Sequence, residues 1–228
     1  SGCDDFGLSA SMHPAKEVGG DFYDFFLIDQ DHCGVVIADV SGKGVPAALF
    51  MMRVKALLNQ LLREDLSPDQ VLARANDGLC EDNEAGMFVT VWLGGLDLRS
   101  GKLVYANGGH NPPLYRHADG SVEWMRDRSG LLLGSFEGVP YRVFERTMIR
   151  GDSLILYTDG VTEAMDASDH CYGDERLFQL VERECDGYPA SVSGVIEEDV
   201  RAFAEGADQA DDITLLVLRY DGQENGPA

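Results

Sequence analysis

Four positions in the sequence place an aspartate where an apolar segment meets a glycine or another small residue. They are Asp21 in GGDFYD, Asp39 in ADVSGKG, Asp159 in YTDGVTEA, and the pair Asp211 and Asp212 in ADDITLLVLR. A buried carboxylate costs free energy unless it is paired, hydrogen-bonded or bound to a metal. A single motif of this kind is usually a turn, because turns favour aspartate, but four of them on the same kind of boundary favour a shared ligand.

The chemistry of these side chains indicates which ligand they would share. A set of carboxylate oxygens with no histidine or cysteine partner suits hard cations such as Mg²⁺ or Mn²⁺. Two such cations would neutralise four or five carboxylates. The ends of strands are rigid enough to hold ligands, and the adjoining turns leave space for water. The sequence therefore predicts a site for two or more Mg²⁺ or Mn²⁺ ions.

The elements that must position these aspartates follow from the spacing of the apolar residues. Strands are predicted over residues 6–12, 18–28, 33–40, 87–98, 102–107, 113–117, 122–125, 141–148, 153–158 and 213–220. Helices are predicted over residues 45–63, 68–80, 175–185 and 191–203. This order predicts an α+β fold with antiparallel sheets, in a single domain over residues 1–220 with a disordered tail at 221–228.

The composition narrows the possible partners. The net charge of −22 opposes binding to nucleic acid or to an anionic membrane surface. No run of eighteen apolar residues is present, so no transmembrane helix is expected. The first residues lack the features of a signal peptide, and the five scattered cysteines are typical of reduced thiols. These features predict a cytoplasmic protein, or a domain cut from a larger one.

The ordered set of motifs resembles a known family. VGGDFYD, ADVSGKG followed by a helix, NGGHNPP, LYTDGVTEA and DDITLLVLR together resemble the SpoIIE-like (sporulation phosphatase) branch of the PPM family. These are metal-dependent protein serine/threonine phosphatases related to type 2C phosphatases. The resemblance covers residues 8–220 and implies a four-layer α-β-β-α sandwich, in which two antiparallel sheets are flanked by helices.

The resemblance also implies roles for individual residues. Asp39 matches the aspartate that bridges two metal ions and is central to catalysis, and the Val40 main-chain carbonyl matches a further ligand. Asp159 and Asp211 match the aspartates that complete one metal site, and Asp21 matches the acidic ligand of the other. Asp24 and Asp212 are expected to support the metal ions indirectly, by contacting the direct ligands or by binding the ions through water.

Two departures from the type 2C pattern concern the phosphate and the leaving group. Many type 2C phosphatases carry a histidine two residues after the bridging aspartate, where this chain has Ser41. A serine is a poor general acid, so another group must protonate the leaving oxygen; the SpoIIE-like branch also lacks the histidine. The arginine that grips phosphate in type 2C enzymes has no certain match, and Lys16 is a candidate for that role. His110 is expected to be structural.

The implied function is hydrolysis of phosphoserine or phosphothreonine by a water activated between two metal ions. In this branch the substrate is often a STAS-type anti-sigma-factor antagonist, and the phosphatase is often fused to a sensory or response-regulator domain. The helix pair at 45–80 is where such a domain, or formation of a homodimer, would act on the site. The alternatives are a catalytically silent interaction module with the PPM fold and a two-metal phosphodiesterase or nuclease, which the negative charge opposes.

Overall fold

A computed structural model describes residues 5–222. Its strands are β1 (Phe6–His13), β2 (Phe22–Leu27), β3 (His32–Val40), β4 (Val89–Asp97), β5 (Lys102–Gly108), β6 (Leu114–Arg116), β7 (Val122–Trp124), β8 (Phe144–Thr147), β9 (Ser153–Tyr157) and β10 (Ile213–Tyr220). Its helices are α1 (Val45–Leu61), α2 (Pro68–Cys80), α3 (Asp159–Thr162), α4 (Asp174–Glu184) and α5 (Pro189–Phe203).

The strands form two five-stranded sheets, each with antiparallel neighbours. The first has the order β1-β10-β9-β6-β7 and the second the order β2-β3-β4-β5-β8. β1 pairs with β10 in a register that places Phe6 opposite Tyr220, so the first and last described strands lie side by side. The prediction of an α+β fold with two antiparallel sheets is confirmed.

Successive side chains of β3 point to opposite faces of the sheet, so this strand contributes to two hydrophobic cores. Val35 and Ile37 point into the space between the sheets, where they pack with Trp92, Leu156 and other residues of both sheets. The intervening Val36 and Ala38 pack beneath α1 and α2 on the outer face. Each fully buried aliphatic side chain of this kind contributes roughly 1.5–3 kcal/mol to stability.

The opposite outer face is built in the same way. Ile155 of β9 and Val217 of β10 pack against buried side chains of α4 and α5, among them Leu177 and Ile196. Helices therefore cover both outer faces of the stacked sheets. This is the four-layer α-β-β-α sandwich that the resemblance implied.

The structure differs from the predicted elements at three places. The strand predicted over 18–28 begins only at Phe22, because the backbone amide of Gly20 donates a hydrogen bond of 2.8 Å to Asp212 instead of joining a ladder. The strand predicted over 141–148 is limited to β8, because Tyr141 turns into the core beneath α1 and α2. The single turn α3, which begins at Asp159, was not predicted.

The ends of the described range are joined by backbone hydrogen bonds. The amides of Asp221 and Gly222 donate to the Asp5 carbonyl at 2.9 and 3.1 Å. The rest of the tail predicted at 221–228 lies outside the described residues. Within residues 5–222, none of the helices has both the length and the apolar character needed to cross a bilayer.

Candidate metal centre

The predicted aspartates meet at one edge of the sandwich, where strands of both sheets end. Asp39 lies near the end of β3, and Asp21 immediately precedes β2, whose register pairs Phe22 with Ala38. Asp21 therefore stands at the position opposite Asp39. Asp159 follows the end of β9 and Asp212 precedes β10, and these two strands are also neighbours.

Two threonine hydroxyls join the sheets at this edge. The hydroxyls of Thr158 and Thr214 each donate a hydrogen bond of 2.7 Å to Asp21 Oδ2. The Thr158 hydroxyl oxygen also accepts a hydrogen bond of 3.1 Å from the Thr214 amide. Asp21 immediately precedes β2 of the second sheet. The two threonines therefore attach it to the end of β9 and the start of β10 in the first sheet.

Burial and mutual repulsion raise the pKa values of three of these carboxylates. Burial raises the pKa of Asp21, although the hydroxyls of Thr158 and Thr214 partly oppose this effect. The pKa of Asp39 is raised by burial and then by the charges of Asp21, Asp159 and Asp211. Burial likewise raises the pKa of Asp159, with added repulsion from Glu163 and Asp211. The cluster therefore resists carrying its full negative charge unless a cation joins it.

Asp211 has a cationic partner. The Lys43 ammonium lies 2.7 Å from Asp211 Oδ2 and donates a hydrogen bond of 2.5 Å to the Ala210 carbonyl. Among residues 5–222, no three His, Cys, Asp or Glu side chains are already arranged as a metal-binding group. The aspartates thus act on one another electrostatically, but they do not yet form a closed ligand shell.

Asp212 holds the loop that leads into Asp21. Its two carboxylate oxygens accept hydrogen bonds of 2.8 Å from the backbone amides of Ala15 and Gly20. The carboxylate is buried, and its charge contributes to the raised pKa of Asp21. Asp212 therefore positions the first aspartate through the backbone.

The Val40 carbonyl lies close to the same loop. A Cβ atom at Gly20 would lie 3.0 Å from the Val40 carbonyl oxygen, so the absence of a side chain lets the two segments approach each other. The carbonyl is thus beside the aspartates, where the resemblance implied a main-chain ligand. The donors present are oxygens, which fits Mg²⁺ or Mn²⁺.

Asp24 is directed away from this cluster, and Lys16, which follows Ala15 of the Asp212-bonded loop, makes no side-chain hydrogen bond or ion pair with it among residues 5–222. Asp24 pairs with Val36 in the ladder, and its carboxylate lies 3.5 Å from the Lys55 ammonium of α1. The alternation of β2 puts its side chain on the helix-facing side, where Phe22 and Phe26 also pack. Lys16 is exposed in the loop before Asp21, and no hydrogen bond or ion pair of its side chain occurs within residues 5–222.

Ser41 and His110 are both used in local structure. The Ser41 hydroxyl oxygen accepts a hydrogen bond of 2.9 Å from the Phe88 amide. His110 Nδ1 lies 2.8 Å from the hydroxyl of Thr90, which is the residue opposite Asp39 in β4. Burial lowers the pKa of His110 to about 4, so the imidazole is neutral. These contacts favour a supporting role for both side chains.

Sequence reasoning missed three residues that the structure brings to the cluster. Thr158 directly precedes Asp159 and Thr214 follows Asp212 by two positions, so their proximity in sequence to predicted ligands was a usable signal. Lys43 lies between two glycines in the segment SGKG. Nothing in the sequence places its ammonium on Asp211, which is 168 positions further along the chain.

Comparisons with known proteins agree with this fold. Phosphoserine phosphatase RsbU of Bacillus subtilis (strain 168) is 30% identical over 212 residues, which make up 93% of this chain and 62% of RsbU. The chain spans 37% and 51% of two further curated relatives. It therefore matches less than two thirds of the length of any of these three proteins.

Solved structures show the same architecture. The SiaA-PP2C domain of Pseudomonas aeruginosa superposes with a TM-score of 0.84 at 21% identity, covering 94% of this chain and 86% of that one. The catalytic domain of the serine threonine protein phosphatase PstP, solved in complex with two manganese ions, gives a TM-score of 0.65 at 16% identity. That match covers 94% of this chain and 97% of PstP.

The family model described as stage II sporulation protein E (SpoIIE) matches residues 29–221. This range includes Asp39, Asp159, Asp211 and Asp212, and it begins after Asp21. The match extends over most of the chain. The chain therefore belongs to the SpoIIE family.

Proposed function

We propose that this chain is a Mg²⁺- or Mn²⁺-dependent protein serine/threonine phosphatase. The observation that carries the proposal is the partly buried position of Asp39 among Asp21, Asp159 and Asp211 at the shared edge of two sheets. A cluster of carboxylates with raised pKa values at one site is typical of a functional centre. It is also an electrostatic environment that a divalent cation would stabilise.

The residues that would hold the ions are Asp21, Asp39, Asp159 and Asp211, together with the Val40 carbonyl. Divalent cations bound in such a set supply a water of lowered pKa and neutralise charge on a phosphoryl group. The charges of the three other side chains all raise the pKa of Asp39. This central position supports the assignment of Asp39 as the bridging ligand.

The chain's other residues orient the aspartates. Thr158 and Thr214 fix one oxygen of Asp21, which leaves its second oxygen for a cation. Asp212 keeps the preceding loop in place through two backbone amides. Ser41 accepts a hydrogen bond from the Phe88 amide, and a serine hydroxyl is a poor general acid, so we assign protonation of the leaving oxygen to another group.

The substrate we propose is a phosphoserine or phosphothreonine protein, of which a STAS-type anti-sigma-factor antagonist is the leading candidate. The resemblance to the SpoIIE-like branch and the printed name of RsbU, a phosphoserine phosphatase, support this class. The net charge of −22 opposes a nucleic-acid substrate. A cytoplasmic location is part of the same proposal.

A regulatory partner is proposed at α1. This helix buries Ala47, Val54 and Leu58 but exposes about two thirds of the Leu49 and Met52 side chains, at 64% and 65%. An upstream sensory or response-regulator domain, or a second copy in a homodimer, would cover such a face. α1 begins five residues after Val40. A shift of this helix would therefore move the Val40 carbonyl and the neighbouring Asp39.

The test of the proposed activity is release of phosphate from para-nitrophenyl phosphate and from a phosphoserine protein. Wild type should be active with Mn²⁺, and activity should be lost with EDTA or in Asp39→Ala. If wild type stayed inactive with Mn²⁺ on both substrates, the catalytically silent interaction module would be the correct interpretation. Equal activity with and without EDTA would overturn the metal mechanism.

A further inference from the structure

Lys43 is a positively charged side chain that contacts the candidate metal centre. Its ammonium contacts Asp211 Oδ2 at 2.7 Å and the Ala210 carbonyl at 2.5 Å. The chain has 40 acidic and only 18 basic residues, so a lysine at this position is not a general feature of the surface. The charge of Lys43 also acts on Asp159, where it opposes the repulsion from the other carboxylates.

The contact between Lys43 and Asp211 can open. Both side chains are partly exposed, at 42% for Lys43 and 34% for Asp211. Lys43 lies between Gly42 and Gly44, whose φ angles are +85° and +75° and whose Cβ positions face open space. The loop that carries the lysine therefore has little packing to hold it, and water competes for its ammonium.

We propose that Lys43 is a built-in counter-ion of the metal centre, which holds Asp211 when no divalent cation is bound and competes with that cation for the carboxylate. This inference rests on the metal site of the proposed function. It accounts for the contact of 2.7 Å between the Lys43 ammonium and Asp211 Oδ2, beside Asp39 and Asp159, whose pKa values are raised by the charge of Asp211. Binding of an ion then requires the ammonium to leave Asp211 Oδ2.

The consequence is that Lys43 lowers the affinity of the centre for divalent cations. Removal of the ammonium abolishes the competition for Asp211 and also removes a positive charge that repels the incoming ion. Both effects have the same sign. A partly exposed ion pair is worth up to about 1 kcal/mol, which corresponds to about a fivefold change in a dissociation constant.

The test is a calorimetric titration of Mn²⁺ into protein freed of metal, at low ionic strength. Lys43→Met keeps the length of the side chain and removes its charge, and Lys43→Arg keeps the charge. The matched control is Lys55→Met, because Lys55 also pairs with an aspartate, Asp24, but outside the cluster. Lys43→Met should bind Mn²⁺ about fivefold more tightly than wild type, whereas Lys43→Arg and Lys55→Met should stay close to wild type.

Thermal unfolding in EDTA gives a second readout that does not depend on activity. Without its counter-ion, Asp211 adds to the repulsion in the cluster, so Lys43→Met should melt roughly 2–4 °C below wild type. Unchanged or weaker Mn²⁺ affinity in Lys43→Met would overturn the inference while leaving the metal site in place. Failure of wild type itself to bind Mn²⁺ would instead overturn the proposed function on which the inference rests.

Discussion

Asp39 is the carboxylate of the site whose ionised form is opposed by burial and by three neighbouring carboxylates. It is partly buried and lies among three other carboxylates, and its pKa is raised by burial first and by their charges second. A carboxylate whose pKa is higher in the folded protein than in the unfolded chain binds more protons when folded. The contribution of Asp39 to the stability of the metal-free protein should therefore fall as pH rises above the ordinary aspartate value of 3.8.

Replacement of Asp39 by asparagine should remove this cost. In EDTA near neutral pH, Asp39→Asn should be more stable than wild type by about 1–3 kcal/mol, measured by urea denaturation. The difference should shrink as pH is lowered toward about 4, because the Asp39 carboxyl of the unfolded chain then becomes protonated as well. A variant less stable than wild type in EDTA at neutral pH would show that Asp39 is not under repulsion.

At the residue scale, the sequence predicts which aspartates gather at the site better than it predicts the side chains that contact them. An aspartate at the end of an apolar strand leaves a local pattern, and this pattern predicts Asp21, Asp39, Asp159 and Asp211, which the structure brings near one another. The contacts of Lys43 with Asp211, and of Thr158 with Asp21, join segments more than a hundred positions apart. Such contacts depend on how the two sheets stack, which local periodicity does not describe.

At the scale of elements, the loop before β2 is as important to the site as the strands. Asp212 accepts hydrogen bonds from the amides of Ala15 and Gly20, and these bonds replace the strand pairing that was predicted from residue 18 onward. A Cβ atom at Gly19 would lie 2.2 Å from Asp212 Oδ2, closer than any stable contact. The loop can wrap the carboxylate only because it carries glycine there.

Gly19→Ala should therefore displace Asp212 and loosen the loop that carries Asp21. We expect a loss of about 1–3 kcal/mol in the free energy of unfolding, together with weaker Mn²⁺ binding. Gly95→Ala on β4 is the matched control, since its Cβ would meet nothing within 4 Å. Equal stability of the two variants in urea denaturation would show that Asp212 does not need this close approach.

The remaining element-level differences also have physical causes. Alternation and turn residues predict the strands and their antiparallel pairing, whereas the division into two stacked sheets is implied only by the resemblance. The strand predicted over 141–148 is shorter because Tyr141 packs into the core beside α1 and α2, an override of strand propensity by burial. The turn α3 was missed because four residues are too few to show a helical period.

At the scale of the whole molecule, the charge of −22 acts on both stability and cation binding. Self-repulsion destabilises a compact protein far from neutrality, and added salt screens it. The metal-free protein should therefore melt a few degrees higher in about 0.2 M than in about 0.02 M NaCl. Scanning calorimetry in EDTA measures this shift, and a lower melting temperature in the higher salt would contradict the account.

The most direct test of the central claim is the number of Mn²⁺ ions that the chain binds. Equilibrium dialysis with metal analysis, on wild type and on Asp39→Asn, measures it without any substrate. The account predicts about two ions per wild-type chain and the loss of at least one of them in Asp39→Asn, because Asp39 is the ligand shared by both positions. The same number of ions bound by Asp39→Asn as by wild type would contradict the assignment of Asp39 as the bridging ligand.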